Sequence, residues 1–145
     1  MNGFIKIIAR ANAGDPSAQR EVEEAMGQPK GYYAQLMSQV KETKKAAEAG
    51  SVADMTRLGQ FYYIGIGTDK NVRLAEDWLG KAAEQNCPGA MYYLGQIYFA
   101  EYSDRLHESK ELIEKALKFG TIPGVKTEDA KTALTTVTMM LEFAS

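Results

Sequence analysis

The chain repeats itself at a fixed interval. Ala9-Arg10-Ala11-Asn12-Ala13-Gly14, Lys45-Ala46-Ala47-Glu48-Ala49-Gly50 and Lys81-Ala82-Ala83-Glu84-Gln85-Asn86 end alike, and their last residues stand 36 positions apart at each step. A weaker fourth copy, Lys115-Ala116-Leu117-Lys118-Phe119-Gly120, follows after 34. Each copy closes on Gly or Asn, the residues that most readily take the left-handed backbone ending a helix. Helix-start signals come next. Asp15-Pro16 pairs a capping side chain with proline at the first helical position, and Cys87-Pro88 repeats the proline placement. Ser51 precedes Asp54 by three residues, close to a capping box.

A second landmark recurs with the same period. Leu58-Gly59-Gln60-Phe61-Tyr62-Tyr63 lies 36 residues before Leu94-Gly95-Gln96-Ile97-Tyr98-Phe99. Leu, Gly and Tyr at i, i+1 and i+4 share one side of a helix. A mid-helix glycine costs roughly 1 kcal/mol against alanine. Its recurrence at one phase predicts a place where a neighbouring helix comes close. Gly65-Ile66-Gly67-Thr68-Asp69 is a turn by composition. After it, Val72, Ala75, Leu79, Ala82 and Ala83 form a helical stripe, with Trp78 beside it at the edge of the pair. Two helices in about 36 residues, each too short to bury its own apolar face, must stack on neighbours.

These residues resemble the Sel1-like repeat, a relative of the tetratricopeptide repeat. In the copy at 51–86, Leu58, Gly59, Tyr62, Gly65, Gly67, Ala75, Trp78, Lys81, Ala82, Ala83, Glu84 and Gln85 match the family pattern. Asp54, Thr68, Asn71, Leu74, Leu79 and Asn86 depart from it. The copy at about 87–120 keeps Ala90, Leu94, Gly95, Tyr98, Lys115, Ala116 and Gly120. Its turn around Glu101-Tyr102-Ser103-Asp104 is two residues shorter, and Leu112 replaces the tryptophan. The copy at about 15–50 is degenerate, with Val22 and Glu23 in place of Leu-Gly and a different linker, Gly27-Gln28-Pro29-Lys30-Gly31. The resemblance implies an all-α fold, a short right-handed α-solenoid of antiparallel helix pairs forming one domain over residues 1–145. A capping helix at about 127–143 completes it, because Ala130, Ala133, Leu134, Val137, Met140 and Leu141 make one apolar stripe. Lys131, Thr132, Thr135, Thr138 and Glu142 then form its solvated face.

Charge and composition narrow the function. Seventeen Lys plus Arg against nineteen Asp plus Glu leave a net charge of −2, with no broad positive field for a nucleic-acid backbone. No apolar run approaches the ~18 residues of a membrane span. Lys6 interrupts Phe4, Ile5, Ile7 and Ile8, so the N-terminus lacks the unbroken run of a secretory signal. Cys87 is the single cysteine, which excludes an intrachain disulfide and fits a reducing compartment. A cytoplasmic protein without cofactor, nucleic-acid or membrane partner is the expectation.

Convergent chemistry is sparse. His107 is the one histidine, set in polar Arg105-Leu106-His107-Glu108, and reads as a surface residue rather than a zinc ligand. Cys87 reads as a helix-start residue. Ser38-Gln39-Val40-Lys41 spells S-x-x-K without the companion S-D-N and K-T-G motifs of serine acyl-transfer enzymes. Gly65-Ile66-Gly67 lacks the third glycine and preceding strand of a dinucleotide fingerprint. The acidic group Glu21, Glu23, Glu24 has no oxygen-ligand loop spacing and reads as a solvated helix face.

What remains is a surface for holding another macromolecule. The resemblance implies that the first helix of each pair lines the concave side. With Leu58, Gly59 and Tyr62 buried, Thr56, Gln60 and Tyr63 share another face, and Tyr92, Gln96 and Phe99 are their equivalents one repeat on. The degenerate copy offers Arg20 and Glu24. Aromatic and amide side chains flanked by charge suit protein binding, although Tyr63, Tyr92 and Phe99 could equally seal the joints between repeats. The expected function is a non-catalytic protein-interaction module, an adaptor or regulator, of the kind common in bacteria. The alternatives are an immunity protein that occludes a toxin, or a small hydrolase using Ser38 and Lys41.

Overall fold

The structure, a computed structural model, describes residues 3–145, so the first two residues of the expected domain lie outside it. Eight helices follow in order: α1 Gly3–Asn12, α2 Pro16–Ala25, α3 Tyr32–Glu48, α4 Val52–Ile64, α5 Val72–Glu84, α6 Pro88–Glu101, α7 Leu106–Lys118 and α8 Thr127–Ala144. Among the described residues there is no strand. The pairs α2–α3, α4–α5 and α6–α7 fall in the segments 15–50, 51–86 and 87–120. None of the described helices is long and apolar enough to cross a membrane.

Local chemistry sets the helix ends. Oδ1 of Asp15 accepts from the backbone N–H of Ser17 at 2.9 Å and of Ala18 at 3.3 Å, and Pro16 begins α2. Oγ of Ser51 accepts from Asp54 N–H at 3.3 Å, while the Ser51 hydroxyl donates to the Asp54 carboxylate at 2.6 Å. Cys87 occupies the cap position of α6, with Pro88 as its first helical residue. Gly14, Gly50, Asn86 and Gly120 all have positive φ, so the four repeat endings close in the left-handed conformation their residue types favour.

The chain divides into two compact units, one up to Ala75 and one from Glu76 onward, with the boundary inside α5. In the first unit α1 packs on α2, α2 on α3 and α3 on α4. Ala11, Ala18, Val22 and Tyr33 are buried together, with Ile7, Ile8, Met37 and Ile66 packed around them. Asn12 ties this core to the turn between α4 and α5. Its Oδ1 accepts from the Tyr33 hydroxyl at 2.5 Å and from Gly67 N–H at 3.0 Å. Its Nδ2 donates to the carbonyls of Gly65 and Thr68, each at 3.1 Å. Gly67 has φ +88°, and a Cβ there would lie 3.0 Å from Leu36 Cγ, so glycine answers both backbone and space.

Glu23 corrects the expectation for the acidic group on α2. It is buried, not solvated, because the chain turns back at Gly31 and aims two backbone donors at its carboxylate. Oε1 accepts from Tyr33 N–H at 2.9 Å and Gly31 N–H at 3.0 Å, and Oε2 from Arg20 at 3.3 Å. The Tyr33 bond above all, with Arg20 and Gly31 adding to it against the opposing effect of desolvation, holds the carboxyl below its ordinary pKa. The residue that breaks the Leu-Gly pattern thus orders the degenerate linker and the start of α3.

In the second unit α6 packs on α7, and α8 packs on α7 and on α6. Met91, Tyr92, Ile113, Ala116, Ile122, Ala130 and Val137 form the buried cluster. Gly95 lies where α7 crosses: a Cβ there would come within 2.9 Å of Ile113 Cγ1 and 3.1 Å of the Ser109 carbonyl oxygen. The close approach predicted from the recurring Leu-Gly landmark is therefore present at its second copy. Ala130, Ala133, Leu134, Val137 and Leu141 of α8 face this core, but Met140, expected in the same stripe, is exposed.

Candidate interaction surface

The second unit brings three of the seven expected partner-binding residues together. Tyr92, Gln96 and Phe99 follow at i, i+4 and i+7, so α6 presents them along one side. Asp129, Thr132, Ala133 and Thr136 of α8 form the opposite wall of a groove of about 340 Å³. Gln96 Nε2 donates to the Tyr92 hydroxyl oxygen at 2.6 Å, which orients the amide along the groove. The Tyr92 ring is buried at 6% exposure and meets Tyr93 edge-on, with 5.4 Å between centroids. Phe99 is half-buried against the core. Tyr92 therefore packs and lines the groove at once, while Gln96 and Phe99 keep more of their surface open.

The first unit distributes its four residues differently. Arg20, exposed on α2, pairs with Glu23 at 3.3 Å and Glu24 at 3.4 Å. It lines a cleft of about 440 Å³ whose other walls are Pro16, Ser17, Gln19, Glu23, Lys30 and Gly31, all from α2 and the turn into α3. Thr56 is buried on α4, and its hydroxyl donates back to the Val52 carbonyl at 3.2 Å. Gln60 is half-buried, and Tyr63 carries the Lys70 ammonium 4.9 Å above its ring centroid. Arg20 stands in a different wall from the three α4 residues.

Two features were not singled out in the sequence. The contribution of α8 is one: Thr132 is exposed, as its place on the solvated face predicts, but nothing local marks residues 129–136 as neighbours of 92–99. The other is an aromatic–arginine cluster. The Arg105 guanidinium lies 3.8 Å from the Tyr98 ring centroid and 5.6 Å from that of Tyr102, and its fork meets Glu108 at 2.9 and 2.7 Å. Tyr102 and Arg105 lie in the turn between α6 and α7, so no helical spacing marks the cluster in the sequence; the turn itself brings them onto Tyr98. Glu76 raises the Tyr102 phenol, first by hydrogen bonding, and its Oε1 is buried with no hydrogen-bond partner.

The remaining candidates lie on the outside. Ser38 and Lys41 are both exposed on α3, and His107 is exposed on α7. Among the described residues, no three His, Cys, Asp or Glu side chains gather closely enough to hold a metal ion.

Comparison with known proteins gives one partial likeness. No family model matches the chain, and no solved structure does. Over 43 residues, 30% of its length, it is 46% identical to a "Putative sel1-like repeat-containing protein" of Acanthamoeba polyphaga mimivirus, of which the match spans 7%. The chain is thus an all-helical protein that over part of its length is similar to a protein described by the Sel1-like repeat.

Proposed function

We propose that the chain is a non-catalytic interaction module that holds a protein partner, with the α6–α8 groove as its contact surface. One observation carries the reading: Tyr92, Gln96 and Phe99 meet Asp129, Thr132 and Thr136 across a single groove. Its walls combine rigid aromatic area, an oriented amide, two hydroxyls and one carboxylate, the mixture that favours a peptide segment over a small metabolite. The partial likeness to a repeat-containing protein supports the same class. Arg20, Gln60 and Tyr63 belong to the proposal as separate partner-facing residues of the first unit; Thr56, expected with them, is buried on α4 and does not. Cys87 as the single cysteine supports work in a reducing compartment, the cytoplasm.

The test is selection of a displayed random-peptide library on the immobilised protein. Enriched peptides should lose binding to Thr132→Arg, which fills the groove from its exposed wall, and bind more weakly to Gln96→Ala. Failure to enrich any peptide, or binding indifferent to both changes, overturns the reading.

A further inference from the structure

Five of the nine large apolar side chains that remain exposed among the described residues lie on the first and last helices. On α1 they are Phe4 and Ile5, the latter 53% exposed; on α8 they are Met139, Met140 and Phe143, the last 83% exposed. Met139 and Met140 precede Phe143 by four and three residues, so the three form one patch. That patch lies apart from the stripe Ala130, Ala133, Leu134, Val137 and Leu141 that packs inward.

Charge identifies what would cover the patch. α1 carries Lys6 and Arg10 and no acidic residue, whereas α8 carries Glu128, Asp129 and Glu142 against Lys131 alone. Arg10 is paired with Asp15, and Glu128 and Asp129 stand in the first turn of α8, so the charges beside the apolar patches are Lys6 on α1 and Glu142 on α8. Placing α8 against α8 of another copy would set Glu142 near Glu142, and α1 against α1 would set Lys6 near Lys6. Placing α1 against α8 buries apolar surface on both sides and brings opposite charges together. Lys6, exposed beside Ile5, then meets Glu142, exposed beside Phe143.

We infer that the chain associates with a second copy of itself, α1 of one copy docking on the Met139–Met140–Phe143 face of α8 of the other. The contact is heterologous, so it continues from copy to copy unless the geometry closes it. It uses the C-terminal half of α8 and does not depend on the groove reading.

Sedimentation velocity over a concentration series tests it. The native chain should show species heavier than the monomer that grow with concentration. Phe143→Ser should weaken association by roughly ten- to a hundredfold, as loss of a buried aromatic side chain does, while far-UV circular dichroism stays unchanged. Lys6→Glu and Glu142→Lys should each weaken it by a few-fold. Mixing the two variants, or combining both changes in one chain, should restore it, since every α1–α8 contact then regains opposite charges. A native chain that is monomeric throughout overturns the inference. So does sensitivity to Phe143→Ser with indifference to Lys6→Glu, which would mean that α8 meets α8.

Discussion

The Ser109 hydroxyl donates to the Gly95 carbonyl oxygen at 2.6 Å, across the point where α7 lies too close to α6 for any side chain at position 95. Ser109 is fully buried, so the bond also satisfies a hydroxyl that has no access to water. The close approach and the hydrogen bond depend on one another: a Cβ at 95 separates the helices and lengthens the bond.

Gly95→Ala should therefore destabilise the protein by about 1–3 kcal/mol, the cost of overpacking a tight contact, despite alanine's better helix propensity. Ser109→Ala should cost about 1 kcal/mol, because the Gly95 carbonyl retains its helical partner. Urea denaturation followed by circular dichroism checks both. The double variant should cost less than the sum if the two residues form one contact.

Asn12 holds the Gly65–Asp69 turn: its Oδ1 accepts from Gly67 N–H, its Nδ2 donates to the Gly65 and Thr68 carbonyls and at 3.3 Å to the Asp69 carboxylate, and the same Oδ1 accepts from the Tyr33 hydroxyl of α3. Asn12→Ala should leave the Tyr33 hydroxyl short of an acceptor, take the Asn12 donor from the Gly65 and Thr68 carbonyls, leave Gly67 N–H with only the Tyr33 hydroxyl oxygen at 3.2 Å, and cost about 2–3 kcal/mol. Amide hydrogen exchange at Gly67 should accelerate more than at the ends of α3. Equal acceleration everywhere would mean that the turn does not depend on Asn12.

Glu23 makes stability depend on acid. Its carboxyl is held below the ordinary value of 4.5, so the folded state binds a proton less readily than the unfolded chain. The contribution is complete above that value and is lost as pH falls through the lowered folded pKa. Glu23→Gln should lower the melting temperature at neutral pH and flatten its decline below about pH 4.5. Thermal melts across that range check the sign: a gap between native and variant that widens in acid would contradict it.

Gln60→Ala combined with Gln96→Ala should leave helicity intact and weaken capture of a groove-binding peptide by several-fold, since each amide offers one or two hydrogen bonds. Isothermal titration with a selected peptide measures this. The single Gln96→Ala change should account for most of the loss, because Gln96 lines the α6–α8 groove.

Much of the helical order was readable from short-range chemistry. The Gly and Asn endings, the Asp15 and Ser51 caps and the prolines at 16 and 88 act within a few residues, and the helices begin and end where they stand. The recurring Leu-Gly landmark announced a tight helix contact, found at Gly95. The groove was legible only by half. The α6 wall follows from the period of Tyr92, Gln96 and Phe99. The α8 wall does not, because contact between residues 92–99 and 129–136 depends on how α8 settles on α6 and α7.

By itself, then, the sequence determined an array of short helices and their phases, because backbone capping and apolar periodicity are local properties of the chain. Tertiary packing decided what burial and distant partners decide: Glu23 inside rather than in water, Met140 outside rather than in the stripe, and Asn12 against Gly67. A carboxylate's environment or a methionine's exposure depends on which backbone groups and helices arrive from elsewhere in the chain, and the pattern of neighbouring residues carries no record of that arrival.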